Sequence, residues 1–421
     1  MFKRLAVNTG VQILGKAVMV LVSLITTGIL TRRLGIRVYG QYIFISSILI
    51  FFDSLADFGT SIMGVREASR EEEGGRIRIW SNVAALRLIM AGLSLALGIL
   101  FIYSWPDFRE IRVEAMLAWL MILFTSLAGS LGVVWQTRIR MEIKVLVEVM
   151  FPTIFLLCLW FFGGNLSLRW VFGTYLVARI ITLAWGWWLG RGTINFKLID
   201  KKLISKLLKI SWPMGIYLLI FSAYDRAVDS LMIQRFFGAS EVAWYGLAYK
   251  IYAVLIQPAF FLVNGIFPIL SKKTNQSTPN PSFNPLEAGR QGDLIKKKNI
   301  FWISAGILIL ASVGIIIGVW LFAPIMVYLL AGSEFEASAA VLRILIVALP
   351  FAYMGHLVGF TLISKEGQKE MLGLGLFVLV FNLTGNLVAI PRFGVVGAAG
   401  ITVLTEMLSL GLMSWKLKKR W

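Results

Sequence analysis

The sequence predicts an all-α polytopic membrane protein, in which about twelve transmembrane helices form two pseudo-symmetric six-helix lobes around a central cavity. Of its 421 residues, 58% are hydrophobic and 15% are charged, whereas soluble domains carry ~25% charged residues. Apolar stretches of ~20 residues recur along the whole chain, and each is long enough to cross a ~30 Å hydrocarbon core. A β-barrel would instead show alternating segments of ~10 residues, and such segments do not dominate.

Twelve apolar segments are the predicted spans, and the first follows the N-terminus. A basic start leads into an apolar run that is too long for the hydrophobic region of a signal peptide, and no small-residue cleavage site follows it. We therefore expect a retained span. The twelve segments lie near 10–31, 40–65, 80–104, 114–136, 145–163, 167–190, 211–237, 243–270, 300–322, 337–363, 371–390 and 395–415.

Two polar connectors interrupt this series. The first, 191–210, is basic and amphipathic, which predicts a helix lying on the membrane surface. Four of its apolar side chains can share one helical face: Leu198, Leu203, Leu207 and Ile210. It divides the spans six and six, so we predict an N-terminal lobe over 1–200 and a C-terminal lobe over 201–421. The second connector, 271–299, is rich in Asn, Pro and Ser and predicts a flexible cytoplasmic loop.

The distribution of Lys and Arg predicts the orientation. Of the 35 such residues that flank the spans, 27 fall on the side of the two termini and 8 on the opposite side. Because cytoplasmic loops carry the excess of positive charge, both termini are predicted to be cytoplasmic. The net charge of +19 is then a topology signal that also attracts anionic lipid headgroups, and no nucleic-acid partner is predicted.

The two halves of the chain contain similar sequence motifs. "RRLGIRVYGQY" (32–42) follows the first span, and "QRFFGASEVAWYGLAY" (234–249) follows the seventh. Both contain an Arg, a Gly and then a Tyr-Gly pair. Tyr-Gly is a common turn, but both copies come after the first span of a half, which favours an internal repeat of the kind that transporters show.

Residues for catalysis or metal binding are scarce. The chain has one histidine, His356, and one cysteine, Cys158, so it can form neither a Cys-based zinc cluster nor an internal disulfide. There is no Walker sequence, and residues 373–378 lack the third glycine of a dinucleotide loop. We therefore predict no enzyme activity, no cofactor and no metal.

Charges inside the spans are the remaining candidates for function. A charge at the centre of a bilayer costs at least ~2.5 kcal/mol on insertion scales, so such residues almost always face a bundle interior or a water-filled cavity. Their spread over both halves predicts a polar cavity between the lobes. The cations are Lys16, Arg87, Arg179, Arg226, Lys250 and Arg343, and the anions are Asp53, Asp57, Glu148, Asp225, Asp229 and Glu406. For Lys16, Glu148 and Arg343, snorkelling toward headgroups is at least as good an interpretation.

Three of these charges crowd into "YDRAVD" (224–229) of the seventh span. On a regular helix Asp225 and Asp229 stack at i,i+4, and Arg226 reaches Asp229 at i,i+3. One interpretation is that the triplet holds helices together, since intramembrane polar pairs serve packing. The other is that the two carboxylates exchange Arg226 between them and couple entry of a proton or sodium ion to reorientation of the lobes.

Six stretches carry a resemblance to a known family. In order they are "NTGVQILGKAV" (8–18), "RRLGIRVYGQYIFISS" (32–47), "ADFGTSIMGVREASR" (56–70), "YDRAVDSLMIQRFFGASEVAWYGLAYKI" (224–251), "FPIL" (267–270) and "IPRFGVVGAAG" (390–400). Through them the chain resembles the polysaccharide repeat-unit flippases, in the superfamily that also holds the multidrug extruders and the lipid II flippase.

The resemblance implies two six-helix lobes around a cavity that opens alternately to each side, with an undecaprenyl-pyrophosphate-linked oligosaccharide as cargo. The six cations named above would bind its pyrophosphate. The acids Asp229, Asp225, Asp53, Asp57 and Glu406 would couple an ion or pair with those cations. Membrane lipids, a coupling proton or sodium ion, and a polysaccharide polymerase with its chain-length regulator are the other expected partners.

Two rival functions stay open at this point. A multidrug extruder coupled to sodium or protons predicts an acid-dominated cavity and cationic cargo. An intramembrane enzyme that polymerises or modifies the sugar would need a base–nucleophile pair, which we do not find in the sequence.

Overall fold

The computed structural model describes residues 2–162, 166–271, 285–364 and 368–419. Within these ranges thirteen α-helices follow one another: α1 Phe2–Asp57, α2 Thr60–Ala68, α3 Glu73–Ser104, α4 Arg112–Thr137, α5 Met141–Phe162, α6 Leu168–Leu189, α7 Lys201–Ser222, α8 Val228–Phe237, α9 Ala239–Ser271, α10 Pro285–Ala331, α11 Ala337–Leu345, α12 Leu349–Ser364 and α13 Gln368–Lys418. The same ranges show no strand, so the predicted all-α class is confirmed.

The predicted number of about twelve spans is also confirmed. Nine helical stretches of the described chain are long and apolar enough to cross a membrane. The first and last of these are bent in two, because Gly35 (φ 68°) lies within α1 and Gly394 (φ 58°) lies within α13. Helix α6, with 22 residues, occupies the predicted sixth segment, so helices occupy all twelve of the predicted segments.

The connector 191–210 differs from its prediction as a surface helix. Helix α7 begins at Lys201, and the side chain of Asp200 caps it by accepting a hydrogen bond from the backbone N–H of Lys202 at 2.8 Å. A hydrogen bond from Arg78 at 2.6 Å also lowers the pKa of the Asp200 carboxyl. Leu207 is buried in a cluster with Phe58 and other residues of the N-terminal half. This apolar face is covered by protein, and residues 201–210 form the first turns of a helical stretch that is long and apolar enough to cross the membrane.

The loop predicted over 271–299 is shorter in the structure. Helix α10 begins at Pro285, and residues 272–284 lie outside the described chain. The first residues after Pro285 are Leu, Glu and Ala, which are strong helix formers, and Pro is favoured at the first helical position. The helix therefore starts well before the apolar run. The division into lobes at 200/201 stays a prediction.

The internal repeat has a structural counterpart in the backbone. Gly35 (φ 68°, ψ 173°) and Gly238 (φ 89°, ψ −172°) adopt nearly the same conformation, which is essentially restricted to glycine. Five to eight residues later, Gly40 packs against the backbone of Ala239, and Gly246 packs against the side chain of Ile43. The two copies thus face each other across the α1–α9 contact, where bare glycines allow close helix approach.

The halves close tightly at the end of the bundle that contains Gly35 and Gly238, which we call the sealed end. Glu334 links the halves there, because its carboxylate accepts from the backbone N–H of Ile36 at 3.2 Å. Its carbonyl oxygen also accepts from the indole N–H of Trp244 at 3.1 Å. The rings of Tyr39 and Phe335 meet edge to face with centroids 5.5 Å apart. The contacts of Glu334 with Ile36 and of Phe335 with Tyr39 thus join the two halves at the sealed end.

Candidate functional site

A central cavity of about 620 Å³ lies away from the sealed end and is lined mainly by α7, α9, α12 and α13. The N-terminal half contributes Lys16 and Ile62. Most of the lining is apolar and aromatic. Its polar members are Lys16, Tyr217, Tyr224, Asp225, Arg226, Tyr249, Gln257, His356, Glu406 and Ser409. A large, mostly apolar cavity with a few convergent polar groups is the usual form of a ligand site.

The polar stretch of the seventh span is not a regular helix. Residues Ala223–Ala227 form a π-helical turn between α7 and α8, a distortion that is frequent at functional sites. Arg226 pairs with its neighbour Asp225 at 3.3 Å and lies 4.9 Å from the ring centre of Tyr249. Tyr249 in turn donates a hydrogen bond to Asp225 at 2.6 Å.

The predicted pairing of Arg226 with Asp229 is therefore wrong. The wider π turn changes the angle between successive side chains, so the i,i+3 geometry of an α-helix does not apply. Arg226 lines the central cavity, whereas Asp229, at the start of α8, is buried with 1% of its surface exposed.

Asp229 lies instead in a network of neutral groups. Its carboxylate accepts hydrogen bonds from the hydroxyl of Tyr245, from the amide of Asn386 at 2.7 Å and from the hydroxyl of Thr402 at 3.5 Å. The amide of Asn386 also reaches Asn382 at 3.1 Å. Among the residues that the structure describes, no cation pairs with Asp229. A buried carboxylate is normally neutralised by a cation, a proton or a metal ion.

A second, smaller pocket of about 240 Å³ lies inside the N-terminal half, among α2 to α6. Arg87 is fixed at its wall with 5% of its surface exposed. It pairs with Asp57 at 2.6 Å, donates to Ser61 at 2.8 Å and donates to the carbonyl of Ser126 at 3.0 Å. A buried charge held by three partners has one orientation, so Arg87 forms a rigid positive wall.

Arg179 lines the same pocket and forms no direct ion pair with any residue that the structure describes. The centre of its guanidinium lies 3.5 Å from the ring centre of Phe151, which is a cation–π contact. Its Nε is buried without a hydrogen-bond partner in the described chain. Lys144 adds a third cation at the wall, where it donates to Gln136 at 2.9 Å and lies 3.9 Å from Glu148.

The structure distributes the predicted site residues differently from the expectation of one cationic cavity between the lobes. Arg87 and Arg179 lie in the N-terminal pocket, and only Lys16 and Arg226 line the central cavity. Lys250 and Arg343 line neither of these two pockets, and Arg343 donates instead to the carbonyl of Trp320 at 3.0 Å.

The predicted acids also separate. Asp57 pairs with Arg87, while Glu406 lines the central cavity. Asp53 lies within electrostatic range of Arg179 and Arg87 without a direct ion pair in the described chain.

Sequence reasoning missed the partners of Asp229. Tyr245, Asn386 and Thr402 are uncharged, so a survey of intramembrane charges passes over them. One signal was available: Asn382 and Asn386 lie one helical turn apart in an otherwise apolar span. Two amides at that spacing share a helix face, and buried amides need hydrogen-bond partners.

Solved structures with the same fold are membrane transporters. The chain superimposes on an inward-facing conformation of a multidrug resistance transporter of the MATE family and MOP superfamily with a TM-score of 0.77, at 14% identity over 95% of this chain and 94% of that one. It superimposes on the lipid II flippase MurJ in an inward closed conformation with a TM-score of 0.76, at 10% identity over 98% and 87%. An outward-facing MATE structure gives 0.67, at 15% identity over 99% and 94%.

The fold and the two pockets therefore define a polytopic, all-helical membrane protein with the architecture shared by these superfamily members. The family model described as polysaccharide biosynthesis protein matches residues 5–273, which is well over half of the chain. The chain belongs to that family. The sequence has no significant match among curated proteins.

Proposed function

We propose that this protein is a flippase that moves undecaprenyl-pyrophosphate-linked oligosaccharide repeat units across the bacterial inner membrane by alternating access, for the synthesis of a surface polysaccharide such as O-antigen, capsule or exopolysaccharide. Its family supports a role in polysaccharide biosynthesis. The observation that carries the proposal is the pair Arg87 and Arg179 in one pocket, with the Nε of Arg179 buried and without a hydrogen-bond partner in the described chain. A guanidinium offers paired donors that suit phosphate oxygens.

The N-terminal pocket would hold the pyrophosphate and the central cavity the glycan, while the lipid tail stays in the bilayer. Ser61 lines the pocket and its neighbour Ile62 lines the central cavity. Helix α2 thus forms a partition between the two, and a helix with its side chains is ~10–12 Å across. A cargo with an anionic and a neutral part matches two neighbouring sites of different chemistry.

The Asp229 network is our proposed coupling site for a proton or a sodium ion. Its carboxylate meets only neutral donors, Tyr245, Asn386 and Thr402. A bound cation would supply the missing positive charge. Because the network joins α8, α9 and α13, occupancy by a cation would alter how these helices pack and so favour one arrangement of the halves.

The bias of flanking Lys and Arg supports an orientation with both termini in the cytoplasm. The sealed end would then face outward, and the central cavity would open inward. Lys197→Cys and Ser333→Cys should react with a membrane-impermeant maleimide from opposite sides of the membrane. Labelling of both from the outside would contradict this orientation.

Transport in proteoliposomes tests the function. The protein should move a fluorescent undecaprenyl-pyrophosphate-linked oligosaccharide between leaflets, and Arg179→Ala should abolish this movement while the protein still inserts. Arg179→Lys should restore only part of it, because Lys lacks the planar fork. Full activity of Arg179→Ala would overturn the proposed pyrophosphate site.

The rival multidrug extruder is less well supported. A cationic drug would meet Arg87, Arg179 and Lys144 in the N-terminal pocket, where like charges repel it. Proteoliposomes that export a cationic dye, and leave the lipid-linked oligosaccharide in place, would favour the extruder.

A further inference from the structure

One wall of the central cavity carries polar groups that nothing in the described chain engages. They are Tyr217 on α7, Tyr224 in the π turn, and Glu406 and Ser409 on α13. None of the four has a hydrogen-bond or ion-pair partner among the residues that the structure describes. Glu406 lies within electrostatic range of both tyrosines, so the groups form one cluster.

The other polar groups of the cavity contact residues of the described chain. Tyr249 donates to Asp225, which also pairs with Arg226. Gln257 donates to the carbonyl of Ala253 at 3.4 Å, and Lys16 lies 5.7 Å from the ring centre of Phe260. His356 on α12 lies edge to face with the ring of Phe260, with ring centres 6.3 Å apart. The four residues without partners line α7, the π turn and α13, and they are called the glycan wall below.

We infer that the glycan wall binds a neutral, hydroxyl-rich sugar ring of the cargo, with Glu406 as the main acceptor. The inference rests on the proposed function and deepens it. A sugar ring has apolar C–H faces and a rim of hydroxyls. The rings of Tyr217 and Tyr224 offer flat apolar surface with a polar tip, and a carboxylate accepts several hydroxyl hydrogen bonds at once.

A purely apolar ligand fits this wall less well. It would displace water from the hydroxyls of Tyr217, Tyr224 and Ser409 and from the carboxylate of Glu406 without replacing the hydrogen bonds, and unpaired polar groups oppose binding. The volume of about 620 Å³ falls within the ~300–1,000 Å³ range of ligand pockets. The cavity therefore has both the room and the chemistry for sugar units.

The test compares bare undecaprenyl pyrophosphate with the same carrier bearing a neutral disaccharide of glucose, galactose or N-acetylglucosamine. All variants carry Cys158→Ser, since Cys158 is the native free thiol. Ser409→Cys reports on the glycan wall, and Thr125→Cys reports on the N-terminal pocket. The rate at which each cysteine reacts with a maleimide is measured in reconstituted protein with each carrier.

At least one disaccharide carrier should slow labelling of Ser409→Cys severalfold relative to the bare carrier, whereas both kinds of carrier should slow labelling of Thr125→Cys. Adding Glu406→Leu should remove the sugar-dependent protection of Ser409→Cys, and adding Glu406→Gln should keep part of it. With either substitution of Glu406, the bare carrier should still protect Thr125→Cys, which shows that the protein is folded.

Equal labelling of Ser409→Cys with bare carrier and with every disaccharide carrier would overturn the glycan wall. Sugar-dependent protection that survives Glu406→Leu would remove Glu406 from it. Failure of all carriers to protect Thr125→Cys would count against the pyrophosphate site of the proposed function. The comparison at Ser409→Cys tests the glycan wall separately.

Discussion

At the scale of single residues, the position of Arg87 depends on a glycine, Gly129, which leaves room for the guanidinium. It lies against Gly129 on α4, where a Cβ atom would come within 2.2 Å of its Nη2. Gly132, one turn further along the same helix and on the wall of the same pocket, has no atom within 4 Å of its Cβ position. Arg87 needs the space at Gly129 only, so Gly132 is a matched control.

This pair leads to a prediction about transport. Gly129→Ala should lower transport per inserted molecule by about tenfold, equivalent to ~1.4 kcal/mol, because Arg87 must shift away from Asp57 and the pocket. Gly132→Ala should retain nearly full transport. Initial rates in proteoliposomes, normalised to reconstituted protein, measure both. If the two variants transport equally well, the position of Arg87 is not important for function.

A second residue-scale prediction concerns the two aspartates around the π turn. Asp229→Asn should slow transport and weaken its dependence on a proton or sodium gradient, because the amide carries no charge for a cation to balance. Asp225→Asn should slow transport by releasing Arg226 while leaving the gradient dependence intact. Rates are compared with and without each imposed gradient. A variant Asp229→Asn that is only less abundant, with unchanged transport and gradient dependence per molecule, would make the network purely structural.

The sequence identified these charges but not their partners. Arg226 was expected to reach Asp229 because helical spacing was assumed, and the π turn at Ala223–Ala227 breaks that spacing. The contact between Arg87 and Asp57 joins α3 to α1. Periodicity within one span carries no information about which residues of another span it meets, so such pairs emerge only from the packing.

At the scale of elements, glycine breaks the helices of the sealed end. Gly238 has a backbone conformation (φ 89°, ψ −172°) that is essentially restricted to glycine and costs other residues ~1–3 kcal/mol. No atom lies within 4 Å of its Cβ position, so a substitution there introduces backbone strain without a clash. Gly306 in α10 is equally open and has no positive φ, which makes it a suitable control.

Gly238→Ala should therefore lower the free energy of unfolding by ~1–3 kcal/mol, whereas Gly306→Ala should leave it unchanged or raise it slightly. Thermal unfolding in detergent, followed by intrinsic fluorescence, compares the two. Equal stability of Gly238→Ala and the unsubstituted protein would mean that the junction between α8 and α9 relaxes without cost.

Span number was predictable because each crossing needs ~20 apolar residues, but element boundaries were less so. The segment 191–210 looked amphipathic, and an apolar face can be covered by lipid or by protein. Leu207 settles this case, since it lies in one buried cluster with Phe58 and Trp80 of the N-terminal half. Sequence pattern alone does not distinguish these two environments.

At the scale of the whole molecule, the halves touch at the sealed end, and the central cavity lies away from it, lined mainly by the C-terminal half. Alternating access requires the sealed end to open and the α1–α9 contact there to separate. The resemblance of the sequence predicted the two lobes, whereas the split into a cationic pocket and a larger aromatic cavity depends on packing and was not foreseen.

A disulfide across the sealed end tests alternating access most directly. The Cβ position at Gly246 lies 3.2 Å from the Cβ of Ile43, close to the ~3.5–4.5 Å separation found in disulfides. In a Cys158→Ser background, Ile43→Cys with Gly246→Cys should cross-link under oxidation. The cross-linked protein should cease to move the lipid-linked oligosaccharide and recover on reduction. Ile43→Cys alone, and Gly246→Cys combined with Ile43→Ala, should stay active under oxidant. Undiminished transport by fully cross-linked protein would contradict the account.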